Sequence, residues 1–176
     1  MTLFEARVTP ARPDLAAEHL RGQVEAERFV AGVVREVVEA QAPLRLTPAP
    51  DAPLDTEALR GERVIVYEED SEGWCWGQLA GDGYVGYLPQ QALAPPGPEP
   101  THQVAALRTF LFPGPSIKLP PLMALSLGSR IAAARVDANF AYLASSGCIP
   151  VQHVAPVGTV EPDFVAVAER FVGVPY

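Results

Sequence analysis

The chain of 176 residues is predicted to be mainly β: two small β-barrels, with an N-terminal arm carrying a short helix and a C-terminal helix. Three observations carry that prediction. Nineteen prolines and fourteen glycines run through the whole length and cut it into short segments joined by turns. Strand-like segments occur in two series with the same order, over residues 33–94 and 101–156. The pattern then changes: Phe164, Val167, Ala168 and Phe171 fall at i, i+3, i+4 and i+7, one apolar stripe on a helix. Hydrophobic residues make up 48%, enough for real cores. A unit of about 60 residues buries only about 60% of its unfolded surface, so each should lean on what packs beside it.

The arm spans residues 1–32. Pro13 to Gly22 reads as a short helix with Asp14 as its cap and Gly22 as its stop. From Phe29 through Val38 the apolar residues are mostly β-branched, which favours strand. In the first barrel, residues 33–94, Val64-Ile65-Val66-Tyr67 and Trp74-Cys75-Trp76 are strand signals, and the polar run Glu68 to Gly73 turns between them. Gly81-Asp82-Gly83 closes the next turn. Residues 95–100 are a stiff proline-rich linker.

The second barrel, residues 101–156, answers the first segment by segment. Leu44-Arg45 corresponds to Leu107-Arg108, Leu59–Val64 to Ser126–Ile131, Trp74-Cys75-Trp76 to Phe140-Ala141-Tyr142, and Gly86–Pro89 to Gly147–Pro150. The second copy keeps the apolar pattern but loses both tryptophans, so its expected role is structural. Residues 157–176 hold the terminal helix, capped by Asp163 and stopped by Gly173 and Pro175.

Leu-Arg-x-x-Pro from Leu44, Gly-Glu-x-Val-x-Val from Gly61, Gly-Trp-x-Trp from Gly73 and Asp-Gly-Tyr-x-Gly-Tyr from Asp82 occur in that order. This order resembles the bacterial SH3-like domain. The terminal Ala168-Glu169-Arg170-Phe171-Val172-Gly173-Val174-Pro175-Tyr176 resembles the first helix of the NlpC-type cysteine peptidase domain of cell-wall hydrolases. The arm from Thr9 to Ala17 is similar to the lead of two-barrel members of that family. The resemblance implies tandem SH3-like barrels ahead of a peptidase domain, with the chain ending before the Asp-Cys-Ser-Gly segment that carries the nucleophile. It implies a partner in cis, the catalytic domain, and a ligand, the cell-wall stem peptide or muropeptide cut at the γ-D-glutamyl-to-diamino-acid bond. An acid and a tyrosine of the first barrel would hold the free amino end of that peptide. Tyr84 matches the tyrosine; Glu62, Glu68 and Glu69 all remain open for the acid.

Composition bears on the same question. Residues 41–100 hold ten acids against three arginines, so that segment carries −7 of the chain's −8. Such a surface repels phosphate backbones, which excludes nucleic acid, and suits an ammonium ligand. Trp74, Trp76, Tyr84 and Tyr87 lie within fourteen residues of this acidic module, and strand alternation puts Trp74 and Trp76 on one face. One tryptophan, more readily Trp76, is expected in the core; Trp74 follows a turn and is a candidate ligand wall.

No catalytic constellation is expected in the chain itself. Cys148 and His153 are the one close cysteine–histidine pair, but their spacing on a strand puts them on opposite faces. Both Cys75 and Cys148 read as buried free thiols. No spacing suits a metal, and no cofactor motif occurs. No stretch reaches the ~20 apolar residues of a membrane span. The N-terminus has no secretory pattern, so cytoplasmic residence is the default expectation. The terminal apolar stripe, if uncovered, would support self-association. The alternative reading is a free-standing tandem adaptor that binds a peptide or protein.

Overall fold

The structure is a computed structural model, and it describes residues 5–174. These divide between Pro96 and Gly97 into two compact units.

In the first unit, β1 (Leu15–Ala17) pairs in parallel with β2 (Arg28–Val30). The remaining strands are β3 (Val33–Val37), β4 (Gln41–Arg45), β5 (Leu54–Leu59), β6 (Arg63–Glu69), β7 (Trp74–Leu79), β8 (Val85–Pro89) and β9 (Leu93–Ala94). They form one antiparallel sheet in the order β5-β4-β8-β7-β6-β3-β9. Alternation sorts its side chains onto two faces. Val37, Leu44, Val64, Val66, Cys75, Leu79 and Leu88 meet in the inner core. Trp76 and Val85 lie on the other face and are buried there against Leu15 of the arm.

The arm departs from its expected helix. Among its described residues, its helical content is one 3-10 turn at Glu18–Leu20. Leu15, Ala16 and Ala17 are all fully buried, which a surface helix with one apolar face would not achieve. The Asp14 carboxylate does not cap; both its oxygens accept from Arg12, at 3.1 and 2.7 Å. Gly22 does turn the chain, at φ +79°.

In the second unit the strands are β10 (His102–Val104), β11 (Arg108–Leu111), β12 (Met123–Ser126), β13 (Arg130–Ile131), β14 (Ala133–Val136), β15 (Phe140–Leu143), β16 (Cys148–Pro150) and β17 (Val154–Pro156). The pairings of the first unit recur here in register. Gln41↔Leu59 and Leu44↔Thr56 have their counterparts in Arg108↔Ser126 and Leu111↔Met123. Val37↔Leu93 reappears as Val104↔Val154, and Trp76↔Tyr87 as Tyr142↔Cys148. The β-bulge between Val66 and Glu68 has its match between Ala133 and Arg135. One correction follows for the repeat: Leu44 corresponds to Leu111, not Leu107, so the matching Leu-Arg dipeptides were a coincidence of sequence.

Asp70 and Asp137 close equivalent turns, each accepting two backbone N–H groups: Glu72 and Trp74 in one case, Asn139 and Phe140 in the other. The terminal helix α1 (Phe164–Glu169) is shorter than its apolar stripe suggests. Asp163 caps it as expected, accepting from Val165 and Ala166. Gly173 follows at φ +89°; the stop expected at Pro175 lies outside the described residues.

Gly86 marks where β8 crosses closest to β4. A Cβ there would lie 2.7 Å from the Arg45 carbonyl oxygen and 2.9 Å from Leu44 Cγ. At Gly81 the corresponding space is open. Gly86→Ala should therefore cost about 1–3 kcal/mol through overpacking against backbone, and Gly81→Ala less than about 0.5 kcal/mol. Urea unfolding of the two variants measures the difference.

Candidate functional site: a cation-filled aromatic face

Two β-bulges build the site. In β6, the bulge between Val66 and Glu68 sets Tyr67 and Glu68 against the single residue Trp76 of β7. Both then serve the outer face: the Tyr67 ring packs against Trp76, tilted, at 5.6 Å between centroids, and Glu68 stands beside it. In β5, the register shift opposite Leu44 and Arg45 leaves Asp55 as the unpaired residue. Its carboxylate is aimed at the arm.

Each bulge is met by an arginine of the arm. The Arg12 guanidinium lies 4.5 Å from the Trp76 ring centroid and 5.9 Å from that of Tyr87. It donates to Tyr87 Oη at 3.0 Å, to both oxygens of Asp14, and to Glu68. Arg28 is the second partner of Glu68. Burial works against the Arg12 charge, but the hydrogen bonds to Asp14 and Glu68 outweigh it and raise its pKa above the ordinary arginine value. Arg7 sits 5.0 Å from the Tyr84 ring centroid and grips Asp55 with two nitrogens. Between the two arginines, a cleft of about 270 Å³ is lined by Leu46, Trp76 and Tyr87.

The expected site residues are dispersed around this arrangement. Tyr84 is half-buried, packs against the inner core and carries Arg7 on its ring. Glu62 accepts from the Leu59 N–H at 2.8 Å and so braces its own turn. Glu68 is taken by Arg12 and Arg28. Glu69 pairs with Arg35 at 3.0 Å and accepts from Gln90. Trp74 is half-buried, with its N–H held by Asp70. Trp76 is 4% exposed, buried under the arm and not in the inner core. Sequence reasoning missed Asp55, Arg7 and Arg12. A bulge leaves no trace in residue type, and the arm's arginines gain meaning only once the arm is seen to lie on the sheet.

Cys148 and His153 do not form a nucleophile pair. The thiol is 1% exposed, and burial pushes its pKa up, opposite to what a nucleophile requires. The His153 Nδ1 is engaged by Thr109 Oγ1 at 2.7 Å. Burial, with Glu69 adding to it, pushes the Cys75 thiol up to about 11. Among the described residues, no group of His, Cys, Asp or Glu could hold a metal ion, and no helix is long and apolar enough to cross a membrane.

Residues 44–93 match the family model of the bacterial dipeptidyl-peptidase Sh3 domain. That segment runs from the end of β4 to the start of β9 and contains both bulges. Among solved structures, the chain is similar to an NlpC/P60 family protein from Bacillus cereus ATCC 10987, with a TM-score of 0.64 at 17% identity over 82% of this chain. It spans 65% of the length of that protein. NlpC2 and NlpC1 from Trichomonas vaginalis are matched at 9% identity, with TM-scores of 0.33 and 0.31, over 82% and 70% of this chain and 56% and 45% of theirs. No curated protein matches the chain. The Bacillus likeness shows the fold.

Arg12 closes the arm onto the sheet, so Arg12→Ala should cost about 1–3 kcal/mol, since Glu68 and Tyr87 lose their shared donor. Arg12→Lys should recover only part of this, because an ammonium cannot span the same partners. Asp14 is held below its usual carboxylate range by Arg12, so its contribution is present above that range and fades as pH falls through the depressed value. The protection factors of the Leu15–Ala17 amides, each taken against the intrinsic exchange rate at the same pH, should fall both in the Arg12→Ala variant and in acid. Unchanged protection would show that the arm is held by Leu15 alone.

Proposed function

We propose that the chain is the non-catalytic recognition region of a cell-wall cysteine endopeptidase whose catalytic domain belongs to the same polypeptide. Its first unit takes the free amino end of the stem peptide at Tyr84 and Asp55. The observation that supports this is Arg7: a guanidinium rests on the Tyr84 ring while Asp55 holds its nitrogens. A ring and a carboxylate that accept one cation can accept an ammonium in its place. Arg7 is half-exposed while Asp55 is 8% exposed, so the seat is fixed and the occupant is the replaceable part. Glu62 braces a turn, Glu68 is shared by Arg12 and Arg28, and Glu69 by Arg35 and Gln90, whereas Asp55 carries the half-exposed Arg7; in this reading Asp55 is the acid for the ligand.

Calorimetric titration with an L-Ala-γ-D-Glu-diaminopimelate tripeptide tests the reading. Tyr84→Leu and Asp55→Asn should each weaken binding about tenfold or more, the loss of one charge-assisted contact. Arg7→Ala should leave it equal or tighter. Equal affinity for the N-acetylated peptide would overturn the amine seat, and hydrolysis dependent on Cys148 would overturn the non-catalytic role.

The C-terminal segment supports the partner in cis. Phe164 is 80% exposed and Val172 84%, beside Val160 and Phe171. An adaptor complete in itself would bury that stripe, whereas a docked catalytic domain would cover it. On its own, the chain should self-associate through it. Light scattering is expected to show a concentration-dependent mass that Phe164→Asp abolishes; a monomer at all concentrations would remove this support.

A further inference from the structure

In the first unit the outer face carries a row of four residues across four strands: Glu68, Trp76, Tyr87 and Arg45, each opposite the next. The arm lies on that row, with Arg12 on Glu68, Trp76 and Tyr87. In the second unit, the same register places Arg135, Tyr142, Cys148 and Phe112 in an equivalent row. The acid at one end has become an arginine. Its guanidinium lies 3.8 Å from the Tyr142 ring centroid, where the first unit has Arg12 over Trp76.

The row is flanked by more rings of the same face. Phe140 lies 6.4 Å from Tyr142, and Phe110 lies 6.2 Å from Phe112 with Arg108 over it at 5.7 Å. Phe110 is 41% exposed. At the bulge, the exposed Ala134 stands where Tyr67 packs in the first unit, so the Tyr142 side of the row is less covered. Arg135 is 61% exposed; it donates to Asp137 at 3.3 Å, an exposed pair of modest strength, and the Tyr142 hydroxyl bonds the same carboxylate. Residues 101–176 hold five basic and four acidic side chains, against the three and ten of residues 41–100.

We infer that this Arg135–Tyr142 face of the second unit is a docking site for an extended acidic peptide segment. It lies over the rings as the arm lies over Trp76, and brings a carboxylate to Arg135 where the arm brings a guanidinium to Glu68. The charge on the face sets the charge on the occupant. A guanidinium already stacked on a ring is preorganised to receive a carboxylate through its edge while its face stays on the aromatic.

The test uses the full chain, labelled with ¹⁵N, and two octapeptides copied from residues 9–16. One carries glutamate at the Arg12 position, the other the native arginine, and both are blocked at their ends. The glutamate peptide should shift the amides of Phe110, Arg135, Phe140 and Tyr142, while the native peptide leaves them in place. Arg135→Glu should weaken the glutamate peptide about tenfold or more, as loss of a charge-assisted contact does, and should admit the arginine peptide. Arg108→Glu provides a second variant if Arg135→Glu unfolds. No shift on this face at millimolar glutamate peptide, or equal shifts from both peptides, would overturn the assignment. Failure here leaves the Tyr84–Asp55 seat untouched, since the two rest on different units.

Discussion

A single guanidinium holds the first unit in its observed form. Arg12 touches Trp76, Tyr87, Glu68 and Asp14 at once, and together with Leu15 it covers the tryptophan. With it, a segment rich in proline and alanine becomes a covering layer. Leu15 can then bury against Trp76, β1 can pair with β2, and the small sheet gains a second apolar cluster beyond its inner core. A unit of this size buries too little surface by its inner face alone, so the outer cluster matters to its stability.

The interaction also explains where charge sits. The acidic excess of residues 41–100 is in part a set of partners for arginines of the arm: Arg7 with Asp55, Arg12 and Arg28 with Glu68. Solubility alone would not require these acids to lie on strands facing the arm. Their pairing shows an electrostatic seam between two parts of one unit, most of it partly exposed and so modest pair by pair.

Much of the fold was legible from residue types. The strands around Val64–Tyr67 and Trp74–Trp76, the turn before Trp74 (which starts at Asp70, since Glu68 and Glu69 belong to β6) and the Asp163 cap follow local rules, and local rules are what a sequence displays. The failures share a different cause. Pro13 to Gly22 has a helix's punctuation, yet its fate was set by burial on a distant sheet. Trp76 was rightly expected to be buried, but under the arm, which alternation within β7 could not reveal. Asp55 looked like one acid among ten because a bulge is a property of two strands together. Equally, the repeated Leu-Arg dipeptide suggested a register that only the strand pairing could correct.

The bulge at Tyr67 has a further bearing on how this unit tolerates changes in length. Because Tyr67 is the unpaired residue, its deletion would leave Val66 opposite Gly77 and Glu68 opposite Trp76 as before. The ladder would become regular, and the inner core would keep every contact. What would vanish is one ring from the outer surface. Insertion or loss of one residue at this point therefore alters what the face can hold while the scaffold beneath stays the same, and it gives such a unit a cheap route to a new ligand.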